Sequence, residues 1–479
     1  MTAPAAAGRV LATLNADGSR RWIRPKPAVG RYFRHRRAVA YGLMVLFLAI
    51  PLFRLRGKPL MLLDVPRREF TFFGTTFLPT DTLLLMLLGL SILIGIFLLT
   101  ALFGRVWCGW ACPQTVYMEY LFRPIERLVE GGWNRSRLLD EQRRHFHPRR
   151  LVTHAISVVL ALVLAHTFLA YFVGTEALAR WVRQSPYEHP VPFLVMAVTS
   201  ALVLLDFAWF REQTCIVACP YGRWQSVLLD EQSLIIAYDP KRGEPRGHRP
   251  HRAEVPGLGD CVDCGACVLT CPTGIDIRSG LQMECIHCTQ CADACDAVMA
   301  KLGKPPGLIR YTSREALAGR ARRLLRPRTV LYPLAFLVCF GSFVAVLGTQ
   351  PGADVTLLGA IGEPFTLEPD GSVVNQVRVK ITNRARGERR YTVELLGAGP
   401  ARVLAPELPL AVRSGRTATT SLFVILPPSA FRDHERDVRF RVSDGAGFTE
   451  EYRWRLRGPD AREEREEREE REKREERAK

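Results

Sequence analysis

The chain has 479 residues, thirteen cysteines, 48% hydrophobic residues and a formal net charge of +18. That length holds two or three domains, and the balanced average conceals segregated apolar and charged stretches. The charge does not indicate a nucleic-acid binder, because no base-reading motif is present and arginines flanking apolar spans beside anionic lipid account for it.

Residues 1–37 are rich in Ala, Pro, Gly and Arg and read as a basic cytoplasmic segment, disordered until it meets the membrane surface. Residues 38–210 carry apolar runs at Ala38 to Phe53, Thr82 to Phe103, Leu151 to Val173 and Val191 to Phe210, the last broken only by Asp206. A further run, Thr329 to Thr349, lies within 328–349. Crossing the hydrocarbon takes about 20 such residues, so five transmembrane helices are expected, the first being the shortest run. Arginines crowd the segments before the first run (Arg31, Arg34, Arg36, Arg37) and between the second and third (Arg143, Arg144, Arg149, Arg150). Gly174 to Pro190 has only Arg180 and Arg183, so the positive-inside rule places the N-terminus in the cytoplasm and the C-terminus outside. The loop Arg54 to Pro79 is a mild exception.

Two cysteine pairs follow the second and fourth runs: Cys108 and Cys112 before Pro113, and Cys215 and Cys219 before Pro220. Residues four apart share a helix face, so each pair presents two sulfurs to one ion, and the proline is expected to end or kink the helix beyond it. Thiolates are soft donors for Cu(I), zinc or iron–sulfur species. Taken singly, such cysteines read as small buried hydrophobes; their repetition favours metal or redox work. Arg105, Arg211 and Arg223 are expected to favour thiolate. Asp206, His154 and His166 stand out as ionisable groups at membrane depth, with interface contact or a satisfied polar role as the alternative. His145 and His147 make too weak a pair for a site, and no haem motif occurs.

Residues 211–327 hold eight cysteines in two C-x-x-C-x-x-C-x-x-x-C runs. This is the spacing of a bacterial-type ferredoxin with two 4Fe-4S clusters, in which the fourth cysteine of each run serves the other cluster. On that rule Cys261, Cys264, Cys267 and Cys295 hold one cluster, and Cys285, Cys288, Cys291 and Cys271 hold the other. A zinc ribbon or disulfide framework fits so regular a repeat poorly. Cys271 is followed by Pro272 but Cys295 by Asp296, which leaves the second turn open. The remaining cysteine, Cys339, sits in the last span, and none lies in the exported region, which argues against structural disulfides.

Residues 350–458 alternate in short runs punctuated by Gly, Pro, Asn and Asp, and read as about seven strands of an immunoglobulin-like β-sandwich. His434 reads there as a solvated loop residue. Residues 459–479 repeat R-E-E and form a charged tail, helical or disordered.

The ordering of these parts resembles the CcoG family, also called FixG or RdxA, accessory proteins of cbb-type cytochrome c oxidase assembly. The stretches carrying the resemblance run Gly104 to Thr115, Arg211 to Tyr221, Cys271 to Arg278, Cys295 to Met299 and Gly307 to Tyr311. The resemblance implies a cupric reductase of the bacterial inner membrane that supplies Cu(I) for the oxidase. Copper handling, as substrate or transiently bound ion, then falls to Cys108, Cys112, Cys215 and Cys219. It also implies a cytoplasmic electron donor, a copper chaperone or transporter and oxidase assembly factors as partners beside the lipid bilayer, with a second copy of the chain as a further candidate. A quinol-oxidising relay and a non-enzymatic assembly scaffold stand as alternatives.

Overall fold

A computed structural model describes residues 12–459 apart from 16, 18, 56–57, 67–68, 74, 78–80, 143–145, 249–255, 322–324, 386, 398 and 400. His145 and the R-E-E tail therefore lie outside the described residues. The chain divides into two compact units, Met1–Val344 and Ala345–Lys479.

The first unit is built on helices. Among the described residues four are long and apolar enough to cross a membrane: α2 (Thr82–Phe103), α7 (Pro148–Val173), the stretch Pro190–Phe210 formed by α9 (Pro190–Leu204) with a π turn, and α15 (Pro327–Gly348). Their large side chains face outward, as a lipid solvent permits, and α7 is the most enclosed. The first expected span differs. Its helix, α1 (Arg31–Ala49), begins seven residues before the apolar run and carries four arginines, so at 19 residues it is long enough but too highly charged to stand with the other four. It nonetheless runs from Asp293, whose carboxylate accepts the Tyr32 and Phe33 N–H groups at 3.1 and 2.7 Å, to Tyr171 near the end of α7, which donates to Phe47 O at 2.7 Å.

Between α1 and α2 lie strands β1 (Arg54–Leu55), β2 (Lys58–Pro59), β3 (Met61–Asp64), β4 (Glu69–Phe72) and β5 (Thr75–Phe77), and β3 packs on α7. Short helices α3 (Val106–Trp110), α4 (Pro113–Tyr117), α5 (Arg123–Glu130) and α6 (Trp133–Glu141) connect α2 to α7. Helix α8 (Thr175–Trp181) follows α7, and α10 (Pro220–Leu228) follows the second cysteine pair.

The ferredoxin region is bracketed by an antiparallel pair, β6 (Ile235–Tyr238) and β7 (Ile309–Thr312), with Ile235 opposite Thr312. Between them come α11 (Pro240–Gly243), α12 (Ala266–Leu269) and α13 (Gln290–Leu302); α14 (Arg314–Ala318) leads on to α15. Cys271 leaves α12 into a Pro turn, whereas Cys295 lies inside α13 and needs no break. Asp296 instead accepts the Gly307 N–H at 2.8 Å and ties α13 to the loop before β7.

The described part of the N-terminal segment is ordered, contrary to its composition. Thr270 donates to Lys26 O at 2.7 Å, Ile23 is buried, and Arg24 pairs with both Glu126 and Asp140 at 2.7 Å. Composition rules price arginine as solvated; here its carboxylate partners are buried with it.

In the second unit nine strands form two sheets: β8 (Ala353–Leu358), β9 (Thr366–Leu367), β10 (Val373–Asn383), β12 (Arg402–Leu404) and β14 (Thr417–Leu426) in one, β11 (Arg389–Leu396), β13 (Leu410–Val412), β15 (Glu435–Ser443) and β16 (Thr449–Arg457) in the other. Alternate residues such as Val377, Val379, Ile381, Leu422 and Phe440 are fully buried, as a sandwich with one wet face per sheet requires. Two of the strands beyond the seven expected, β9 and β12, have only two and three residues. His434 is exposed at a positive φ of 62°.

Candidate functional site

Each membrane-edge cysteine pair belongs to the same backbone pattern, repeated 107 positions apart. A span ends at Phe103 or Phe210; the next residue, Gly104 or Arg211, turns at φ 60°, ψ −134° or φ 58°, ψ −122°. A short helical turn carries Cys108 or Cys215. The N–H of Cys112 then reaches Trp107 O, and that of Cys219 reaches Thr214 O, both at 2.8 Å. Cys112 and Cys219 are extended, and the proline after each starts a helix as its first residue. The expectation of a helix ended by proline is thus corrected: the break falls inside the pair, so the two cysteines do not share one helix face.

The two copies meet. Cys108 Sγ donates to Gln225 Oε1 of the second copy at 3.0 Å, and Gln114 Nε2 donates to Arg211 O at 2.9 Å. Cys108 and Cys215 pack in one cluster with Ile286, Cys288 and Tyr221. Burial raises the Cys108 thiol to about 11 despite Arg105 beside it, and burial also raises Cys112 and Cys215. Burial thus favours the thiol over the expected thiolate at Cys108, Cys112 and Cys215: desolvation outweighs Arg105 at Cys108, and Arg211 is turned away to Glu126 at 2.6 and 3.1 Å. Among the described residues no three His, Cys, Asp or Glu side chains are gathered tightly enough for a single metal ion.

The ferredoxin cysteines fall into two groups around adjacent cavities. One, of about 20 Å³, is lined by Cys261, Cys264, Cys267 and Cys295; the other, also of about 20 Å³, by Cys271, Cys285, Cys288 and Cys291 together with Cys267. The donor set is all sulfur and the lining otherwise mostly apolar, which suits a buried cubane. Cys264 is exposed, whereas Cys285 and Cys288 are buried, Cys288 in the cluster that holds the membrane-edge Cys108 and Cys215.

Sequence reading missed the residues that join these parts. A side chain at Gly109 would place its Cβ 2.6 Å from Ile286 O and 2.8 Å from His287 O, so only glycine lets the first thiol loop lie on the loop between Cys285 and Cys288. His287 is fully buried; its Nδ1 accepts the Arg105 N–H at 3.2 Å, which leaves the ring proton on Nε2. Burial, then Arg105, hold that imidazole neutral, with its pKa at about 3. Arg36, read as a membrane-flanking arginine, is wholly buried and donates to Gly109 O at 2.8 Å. A buried ionic network ties the second copy to α5: Arg211 to Glu126, and Arg123 to Glu119 and to Glu212, the latter at 2.9 Å. Glycine in a C-G-x-x-C run and the i,i+4 spacing of Glu119 and Arg123 were the available signals; Arg123–Glu212 and Arg211–Glu126 lie 89 and 85 positions apart and leave no local pattern.

Of the other candidates, His154 is exposed on α7 and His147 caps that helix, accepting from Arg149 N at 3.3 Å. Asp206 accepts from Gln114 at 3.2 Å and from Thr214, a satisfied polar role. His166 bonds Leu162 O at 2.7 Å and lines an apolar cavity with Trp181, His189 and Met196. From Met196 to Phe210 the helix rises roughly 20 Å, so that cavity lies far from the thiols. Cys339 is half-buried on α15.

Comparison with known proteins accords with this architecture. The model of a 4Fe-4S dicluster domain matches residues 210–314, that of a 4Fe-4S binding domain matches 85–133, and that of the IG-like fold at the C-terminal of FixG matches 343–459. Protein RdxA of Cereibacter sphaeroides is 34% identical over 403 residues, 81% of this chain and 85% of its own. Nitrogen fixation protein FixG of Rhizobium meliloti is 32% identical over 500 residues, 89% of this chain and 94% of its own. The crystal structure of a FixG-related protein from Vibrio parahaemolyticus aligns with 23% of this chain and 98% of that one, at 15% identity and a TM-score of 0.21. With iron–sulfur domains, apolar spans and the terminal sandwich in one order, the chain belongs to the FixG/RdxA family of iron–sulfur electron-transfer proteins.

Proposed function

We propose that this protein is a membrane-bound cupric reductase, taking electrons from a soluble cytoplasmic one-electron donor and delivering Cu(I) for assembly of a cbb-type oxidase. The observation that carries the reading is the seating of Cys108 and Cys215, one from each of two backbone-equivalent segments, against Ile286 and Cys288 of the ferredoxin region. The residues held to ligate are Cys261, Cys264, Cys267 and Cys295 for one cluster, and Cys271, Cys285, Cys288 and Cys291 for the other. Clusters bound there store and pass single electrons.

The exposed Cys264 marks the entry side, and the Gly109 contact marks the exit. At the exit Cys108, Cys112, Cys215 and Cys219 offer soft sulfur to the substrate copper. One electron converts one Cu(II) to Cu(I); the thiols lose protons as they ligate, and the softer product is then held until a stronger sulfur acceptor, a chaperone or transporter, removes it. The ferredoxin side is assigned to the cytoplasm by the arginine bias and the sandwich to the periplasm.

The test is anaerobic. The purified, reduced protein is mixed with Cu(II), and reoxidation is followed beside Cu(I) formation in wild type and in Cys108→Ala/Cys215→Ala. Stoichiometric Cu(I) that fails in the double variant is expected. Reoxidation by a quinone analogue but not by copper sinks the reading in favour of a quinol relay.

A further inference from the structure

Arg36 is a buried charge that no carboxylate in the described residues hydrogen-bonds. Its side chain is 0% exposed, Nε is bound to Gly109 O, and Nη1 and Nη2 have no hydrogen-bond partner. The face of Tyr120 lies 5.4 Å from its guanidinium carbon. The neighbouring carboxylates are committed elsewhere: Glu119 to Arg123 and Gln290, and Asp293 to the Tyr32 and Phe33 N–H groups. An unpaired buried cation costs several kcal/mol and is retained where a negative partner is expected. The Gly109 peptide that holds Arg36 is itself pressed against Ile286 and His287, so the free guanidinium stands beside the Cys285 and Cys288 loop. Four thiolates around a 4Fe-4S core are net dianionic when oxidised and trianionic when reduced, so a fixed cation favours the reduced state. Arg278, the arginine on the other cavity, is already neutralised by Asp276 at 2.8 Å and by Asp263.

We propose that Arg36 is a positioning residue for electrons: its charge, hydrogen-bonded to no carboxylate, holds the site of Cys271, Cys285, Cys288 and Cys291 at a higher midpoint potential than the site of Cys261, Cys264, Cys267 and Cys295. Electrons entering beside exposed Cys264 then collect next to Cys108. This rests on the reading of the eight cysteines as cluster ligands.

The experiment is an EPR-monitored redox titration of the full chain in detergent, with iron and acid-labile sulfide counted in each sample. In Arg36→Gln one couple is expected to fall so that its reduced fraction at fixed potential drops about tenfold, which for one electron is 59 mV, while the other stays. Arg36→Lys restores most of the difference. Asp293→Asn, which keeps an acceptor for the α1 N–H groups but removes a negative charge, moves the same couple upward and serves where Arg36→Gln does not assemble. Unchanged couples in Arg36→Gln, or equal shifts of both, overturn the proposal, as does a downward or absent shift in Asp293→Asn. Wild-type protein without iron and sulfide refutes the cluster reading itself.

Discussion

The two cysteine-pair segments share a backbone and differ in what each leans on. At the first turn one copy has Gly104 and the other Arg211; at the next position Arg105 faces Glu212; after the first cysteine Gly109 faces Ile216. The first copy is stripped to glycine where the ferredoxin touches it: a Cβ at Gly104 would fall on the Leu234 carbonyl, and one at Gly109 on Ile286. The second copy keeps full side chains and spends them on packing and ion pairing, with Ile216 buried and Arg211 and Glu212 in the network around Glu126 and Arg123. A duplicated scaffold thus yields one copy that docks the ferredoxin region and one that is tied into the ionic network of α5.

Making the first copy resemble the second breaks the comparison most severely. Gly109→Ile forces the Cys285–Cys288 loop away, so copper-dependent reoxidation should fall by at least tenfold, and limited proteolysis of residues 235–312 should accelerate. The reciprocal Ile216→Gly leaves docking intact and costs about 2–5 kcal/mol in packing; equal loss of electron transfer in both variants would remove the asymmetry.

Next in size is Arg211→Gly. It relieves a positive φ worth about 1–2 kcal/mol but takes from buried Glu126 the nearer of its two arginines, leaving Arg24 at 2.7 Å, and the loss of that bidentate pair is expected to exceed the relief, so the melting temperature in detergent should fall. A rise would mean that the strain outweighs the network.

The same network predicts an acid limit. Burial pushes the Glu126 carboxyl up, but Arg211 and Arg24 beside it hold it at about 2, against an ordinary 4.5. Its stabilisation is complete above pH 4.5 and is lost as pH falls from there towards 2. Melting temperature should stay level from pH 7 to about 5 and decline at lower pH, less steeply in Arg211→Gly.

The smallest effect is expected from Gln225→Leu, which removes the acceptor of the Cys108 thiol and a donor to Tyr221 at 2.7 Å. About 1 kcal/mol of stability should go. A measured alkylation rate of Cys108 that rises in the variant would show that this hydrogen bond bridges the two copies.

The cysteine spacings, the four strongly apolar spans and the strand alternation are local patterns, and they determined the parts of this protein, because metal ligation by short spacers, lipid burial and a half-wet sheet each impose a short period on the chain. The first helix and the N-terminal segment escaped that reading because their arginines look solvated until Glu126, Asp140 and Gly109 O are brought to them. Only the tertiary structure decided that the cysteine pairs are broken by their prolines' new helices, that burial favours the thiol at Cys108, Cys112 and Cys215, and that one glycine seats the first pair's segment on the Cys285–Cys288 loop. Those outcomes depend on desolvation and on backbone approach between segments some 180 positions apart, for which a linear sequence carries no periodic signature.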